Sequence, residues 1–343
     1  MKKYFKSMVL ILLCVSLFLL ISGCGQSESK TSDSKTDISN KKDWPKGIAV
    51  SSAPLGGTFH VYATAWASII NKNLGIATNV EATAGPIANL QLVDNGQSDV
   101  GLVTMGPAYE AYNGIGWTDK KHQNIRTIFP MYVSYLHWFV APNTNIKTVA
   151  DFEGKVVGTG ARGGTPDYYT VKILDDLGIK ASRIINSSFS EYANLMADKT
   201  IHAFGVFAPT GHPTGAEVIR TQNAKVMGLG EKSKELAKKY GITSGIMKAK
   251  SYEGQTEDIE TLTIYSAFAV NKNLPDSLVY ELVKTTFEQK NELQKAVIQA
   301  AELNLDIVPD SITAVPLHPG AIKYYEEKGV KLPKSAYPPE YSK

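Results

Sequence analysis

The chain has 343 residues, with 36 Lys and Arg against 33 Asp and Glu, and only two cysteines. Its formal net charge of +3 is matched by Lys2, Lys3 and Lys6 at the extreme N-terminus, so the remainder is near neutral and offers no basic field for nucleic acid. Cys14 and Cys24 both precede the globular part, which excludes a disulfide, a thiolate metal site or a cysteine nucleophile within the fold.

The three lysines lead into an apolar stretch, residues 8–21, too short and too close to the terminus for a spanning helix. It ends in Ile21-Ser22-Gly23-Cys24, which resembles a bacterial lipobox. Residues 1–23 are therefore predicted to be a lipoprotein signal peptide, with Cys24 the lipid-modified first residue of the mature chain. Such an anchor holds a protein at the outer face of the cell membrane without spanning it. From residue 24 to 44 the chain is polar and rich in Ser, Lys and Asp, the composition of a flexible tether. About 300 residues remain, enough for two domains.

After Trp44, short apolar runs alternate with helical spacing. "GIAVSS" (47–52) reads as a strand. Val61, Tyr62, Ala65, Trp66, Ile69 and Ile70 follow at helix period. "NVEATA" (79–84) and "DVGLVTM" (99–105) read as further strands, each followed by a short helix, "PIANLQLVDNG" and "PAYEAYNG". This is the grammar of a mostly parallel sheet covered by helices. "IRTIFPMYVSYLHWFVAPN" (125–143) is extended and crosses to a second unit. That unit repeats the pattern, with strands at 155–160, 183–188 and 202–208 and helices between them. A return strand begins near residue 261, and residues 275–303 read as one helix, the longest in the chain. The predicted fold is α/β with two lobes, residues 45–138 plus 266–343 and residues 139–265, and a hinged cleft between them.

Ligands of open parallel sheets sit beyond the carboxyl ends of the strands, against helix starts. Four Gly-bearing turns occupy such places: "PLGGTFH" (54–60), "TAGPI" (83–87), "TMGPA" (104–108) and "GARGGTP" (160–166). Bare N–H groups and the positive end of the helix dipole suit an anion. Gly56, Gly57, Thr58 and Phe59 of the first turn, Met105 of the third, and Arg162, Gly163, Gly164 and Thr165 of the fourth are candidate ligand contacts. Arg162 is of the type that clamps a carboxylate. The six histidines show no metal-ligand spacing, and His137 alone joins the site set, from its place near the predicted crossing. P-loop, dinucleotide and G-x-S-x-G patterns are absent, and no nucleophile, base and orienter assemble at a readable spacing. The expectation is a binding protein without enzymatic activity, cofactor or metal.

The ordered series "APLGGTFHVYATAWASIINKNLG", "NVEATAGPIANLQLVDNGQSDVGLV", "DFEGKVVGTGARGGTP", "AFGVFAPTGHPTGAEVI" and "PLHPGAIKYYEEKGV" resembles the TAXI solute receptors of tripartite ATP-independent periplasmic (TRAP) transporters. Gly56, Gly57 and Thr58 match that family's Gly-Gly-Thr loop, while Thr83, Gly85 and Asn89 match its Thr-x-Gly…Asn turn. Gly160, Gly163, Gly164 and Thr165 match the Gly-rich loop of the second lobe, and Gly211 and Pro213 a Gly-x-Pro turn. Pro86, Ala88, "TMGP" (104–107) and Arg162 depart from the pattern. The resemblance implies a type II periplasmic-binding-protein fold and a small acidic solute, an amino acid such as glutamate or a dicarboxylate. It also implies delivery to a membrane permease driven by an ion gradient. A sensory receptor docking on a signalling kinase is the alternative that the same fold allows.

Overall fold

A computed structural model describes residues 41–312 and 314–341, all within one compact unit, Ser39–Lys343. The predicted signal peptide, Cys24 and most of the tether lie outside the described residues. The described chain opens with a 3-10 turn at Lys41–Asp43, and the Trp44 indole N–H donates to Ser277 Oγ at 2.9 Å.

The first lobe begins as the apolar pattern predicts, with β1 (Gly47–Ser51), α1 (Thr58–Leu74), β2 (Ala77–Glu81), α2 (Pro86–Asp94), β3 (Val100–Thr104) and α3 (Met105–Asn113). Helix α1 buries Phe59, Tyr62, Ala63, Trp66, Ile69 and Ile70 along one face, and Gly75 ends it in the left-handed conformation. Strands β2, β1 and β3 are parallel neighbours in that order.

The crossing is β4 (Ile125–Val140), a single strand of 16 residues. It leads into β5 (Val156–Gly158), α4 (Thr165–Asp176), β6 (Arg183–Ile185), α5 (Phe189–Ala197), β7 (Ala203–Ala208), α6 (Pro213–Gln222), β8 (Lys225–Met227), α7 (Ser233–Tyr240) and β9 (Thr243–Met247). Strand β10 (Ile259–Asn271) returns antiparallel to β4, and α8 (Asp276–Glu288), α9 (Lys290–Ala296), α10 (Val308–Ser311) and α11 (Pro319–Glu327) complete the chain. One mixed sheet results, in the order β2-β1-β3-β10-β4-β7-β5-β6, with β8 beside β4 and β9 beside β10. The antiparallel β4–β10 pair thus joins two parallel groups. Along β10, residues 266–270 face β3 and residues 259–263 face β9; along β4, residues 135–140 face β7. Pro130 lies where β4 has only β10 as a partner, so its missing N–H breaks no second ladder.

Apolar clusters pack on and beside this pair. In the first, Trp66 packs on Phe268 at 4.8 Å and Phe268 on Phe129 at 4.5 Å between ring centroids. The Trp66 N–H is satisfied by Thr286 Oγ1 at 2.8 Å. In the second lobe, Trp138, Phe152, Tyr169, Ile173 and Leu236 share a cluster. Each fully buried large apolar side chain contributes about 1.5–3 kcal/mol.

The single helix predicted for residues 275–303 is not observed. It divides into α8, α9 and a 3-10 turn, Ile298–Glu302, and α1 with 17 residues is longer than any of them. The polar run Glu288-Gln289-Lys290-Asn291-Glu292 gives a straight continuation nothing apolar to bury. Bending there lets Leu293, Val297, Ala300 and Leu303 reach the core. Strands β8 and β9, helix α7 and the C-terminal helices carry no sequence signal strong enough to be read as elements.

Asn89 ties the site-facing ends of this lobe together. It is fully buried, and its Nδ2 donates to the carbonyls of Ser52, at 2.5 Å, and Leu102, at 2.7 Å. The Thr83 hydroxyl donates to Asn89 Oδ1 at 2.6 Å. Asn89→Ala strips these buried groups of partners and is expected to lower the unfolding free energy by about 3 kcal/mol, measured by urea denaturation. A loss below about 0.5 kcal/mol contradicts this bracing role.

Candidate functional site

Four helices begin around one small cavity: α1 after Gly57, α2 after Gly85, α3 after Thr104 and α4 after Gly164. None of these four residues provides a side-chain cap. The first N–H groups of a helix have no intrahelical partner, so uncapped starts present donors and a partial positive charge to whatever fills the space. Prolines at Pro86 and Pro166 remove one donor each and fix the first turn. The cavity measures about 50 Å³ and is walled by Ala53, Phe59, Tyr132, Phe189, Phe207 and Ala208 between the helix starts. Among the described residues no Asp, Glu, Lys or Arg lines it.

The loops of the two lobes meet closely here. Thr104 and Thr165, each about 1% exposed, share a hydrogen bond of 3.0 Å between their hydroxyls. Gly164 lies under Ala84, where a Cβ would stand 3.1 Å from the Ala84 carbonyl oxygen. The absence of a side chain is what permits this approach. Further along the same helices, Tyr168 on α4 donates to Glu110 on α3 at 3.1 Å. Burial raises the Glu110 carboxyl, an effect opposed by Tyr168 and Lys172.

Of the residues singled out from sequence, Gly57, Thr58, Phe59, Gly85, Gly164 and Thr165 line the cavity. Thr83 and Asn89 stand behind it as braces; Gly85 donates its N–H to Thr83 Oγ1 at 3.1 Å. Met105, buried, opens α3 without reaching the lining. Gly163 donates to Asp167 Oδ2 at 3.0 Å and shapes its loop, while Arg162 beside it is exposed and outside the lining. Gly56 is exposed. Gly211 and Pro213 border an adjoining open groove with Thr58, Val61 and Ile298. His137 is fully buried and touches the cavity only through others: its Nδ1 donates to the Tyr135 carbonyl at 2.9 Å, and its Nε2 accepts from Tyr252 at 2.8 Å. The Tyr252 oxygen in turn accepts the His212 backbone N–H at 3.0 Å.

Among the lining residues that escaped the sequence reading, two carry buried polar atoms without a partner among the described residues. His212, about 1% exposed, accepts the Gly215 N–H on Nδ1 at 3.4 Å, and its Nε2 has no partner among the described residues. Tyr132 is fully buried with its hydroxyl equally unpartnered. Burial, reinforced by His137, pushes His212 down to about 3, so the ring is neutral with its proton on Nε2. Desolvation holds the Tyr132 phenol well above its usual range, which keeps the hydroxyl protonated. A histidine between Gly211 and Pro213, at a helix cap, was the available signal. Tyr132 sits in a core-like strand and carried none. Among the described residues no group of three or more His, Cys, Asp or Glu is placed to hold a metal, and no helix is long and apolar enough to cross a membrane.

Fold and cavity together define the class: a two-lobed α/β protein of the type II periplasmic-binding-protein architecture. The chain belongs to the NMT1-like family, whose sequence model matches residues 50–329. Among solved structures, the periplasmic binding protein BugD is 15% identical, covering 84% of this chain and 100% of its own, with a TM-score of 0.53. A protein of Bordetella bronchiseptica RB50 is 14% identical over 87% of this chain and 91% of its own, with a TM-score of 0.52. At such identities the likeness concerns the fold.

The buried histidines set a pH dependence. His212 is lowered to about 3, and His137 and His318 to about 4, each chiefly by burial. The unfolded chain binds these protons near pH 6.5, before the folded one does, so stability falls as pH drops below that value, by up to about 1.4 kcal/mol per pH unit for each group. Melting temperature is expected to decline steadily from pH 7 to pH 5, and His137→Gln to flatten the slope. A melting temperature that stays constant over that interval contradicts neutral burial.

Proposed function

We propose that this protein is an extracytoplasmic solute receptor, tethered through a lipidated Cys24, that closes on a small organic anion and delivers it to a TRAP permease. The lobes in this reading are residues 45–138 plus 266–343 and residues 139–265, hinged through the β4–β10 pair. The observation that carries it is the convergence of four uncapped helix starts, from both sides of the cleft, on one buried cavity with two unpartnered side-chain groups. Such a cavity is costly unless occupied, because buried polar groups without partners destabilise the fold. An anion bridging the helix starts satisfies them and holds the cleft shut.

The ordered TAXI-like motifs support delivery to a TRAP permease, and the lipobox supports the anchor. A neighbour in fold, BugD, is itself described as a periplasmic binding protein. In this reading the protein is a receptor without turnover.

Native mass spectrometry of the intact protein purified from its cells is expected to show one small anionic metabolite bound. Thr165→Ala removes a hydroxyl that bridges the lobes and is expected to cut occupancy about tenfold while leaving the fold intact. Absence of any bound metabolite, or equal occupancy in the variant, counts against the site. Cys24→Ser is expected to move the protein from the membrane fraction to the soluble one on cell fractionation. Retention in the membrane fraction contradicts the anchor.

A further inference from the structure

The class of anion follows from what the cavity holds and what it omits, and it rests on the receptor reading above. We propose that the cavity selects a small monocarboxylate without an ammonium group, its carboxylate held by the helix starts together with His212 Nε2 and the Tyr132 hydroxyl.

Every polar group offered by the lining is neutral. The helix starts each supply about half a positive charge, and the residues that open them line the space. His212 presents a ring N–H, because its other nitrogen is occupied by the Gly215 N–H. The Tyr132 hydroxyl is buried and free to donate. All of this suits negative charge. Little suits positive charge: among the described residues no carboxylate lines the cavity, the carboxylates on α3 and α4 nearest to it are engaged, and Glu302, whose charge reaches the Tyr132 hydroxyl, accepts the Val133 N–H. Asp167 Oδ1 accepts from Thr159, at 2.6 Å, and Asn186, at 2.7 Å, while its Oδ2 takes the Gly163 N–H. Glu110 is held by Tyr168 and Lys172. The α-ammonium of an amino acid would lose its water against four positive helix ends, with no counter-ion to replace it.

Size makes the second restriction. One water needs about 10–15 Å³ of such space. A cavity of about 50 Å³ therefore accepts a handful of heavy atoms. Phe59, Phe189 and Phe207 offer a short apolar body a dry wall, and no Lys or Arg waits for a second carboxylate.

Titration calorimetry on the full chain in detergent, with pyruvate, propionate, L-alanine, succinate and L-glutamate as probes, tests this. Pyruvate and propionate are expected to bind. L-alanine has the skeleton of pyruvate with an ammonium at the same carbon, and it is expected to bind more weakly by about a hundredfold or more. L-glutamate and succinate are expected to be no tighter than L-alanine. Tyr132→Phe removes a hydroxyl that has no partner in the unliganded fold, so melting is unaffected or improved, while pyruvate affinity falls about tenfold. L-alanine, L-glutamate or succinate binding as tightly as pyruvate overturns the inference and leaves the receptor function standing. So does failure of all the probes while native mass spectrometry shows some other bound metabolite. Failure of the probes with no metabolite bound overturns both. Unchanged pyruvate affinity in Tyr132→Phe overturns the placement of the carboxylate at that hydroxyl.

Discussion

The structure depends on bringing the N-termini of α1, α2, α3 and α4 to one point without capping them. Parallel positive helix ends repel, and their donors go unsatisfied when water is excluded. An arrangement of this kind persists because the rest of the fold over-determines it. Asn89 and Thr83 lock the turns after β1 and β2, Tyr192 receives the N–H groups of Thr159, Gly160 and Ser187 beside the loop that precedes α4, and the β4–β10 pair runs between the two parallel groups of the sheet.

That geometry separates lining from positioning. Gly57, Gly85 and Gly164 form the wall itself, and Thr104 and Thr165 bridge it. His137 works at one remove: through Tyr252 it sets the loop that carries His212. Both rings are buried and neutral, so the loop is aimed by hydrogen-bond direction rather than by charge. Backbone dipoles and neutral donors cost less to desolvate than an arginine, whose charge would need a partner once buried. Arg162 is exposed and outside the lining.

The strand–helix grammar was legible because it rests on local chemistry. Alternating apolar runs, glycines at helix ends and prolines in first turns act within a few residues of one another. The break after Glu288 was not, because a polar run such as 288–292 can equally well form the solvent face of one continuous helix, and only packing of Leu293 and Val297 decides the bend. The short edge strands β8 and β9 form against β4 and β10, partners far away in sequence.

Sequence alone determined the two α/β units, the extended crossings and the four glycine turns, since turn chemistry and hydrophobic period are properties of neighbouring residues. Only the tertiary structure decided which of those turns face one another. It placed Gly164 under Ala84, joined Thr104 to Thr165, left Arg162 outside the lining, and brought in Tyr132 and His212. The reason is physical: whether a hydroxyl or ring nitrogen is spent or available depends on what packs around it, and those neighbours come from elements up to about two hundred residues apart.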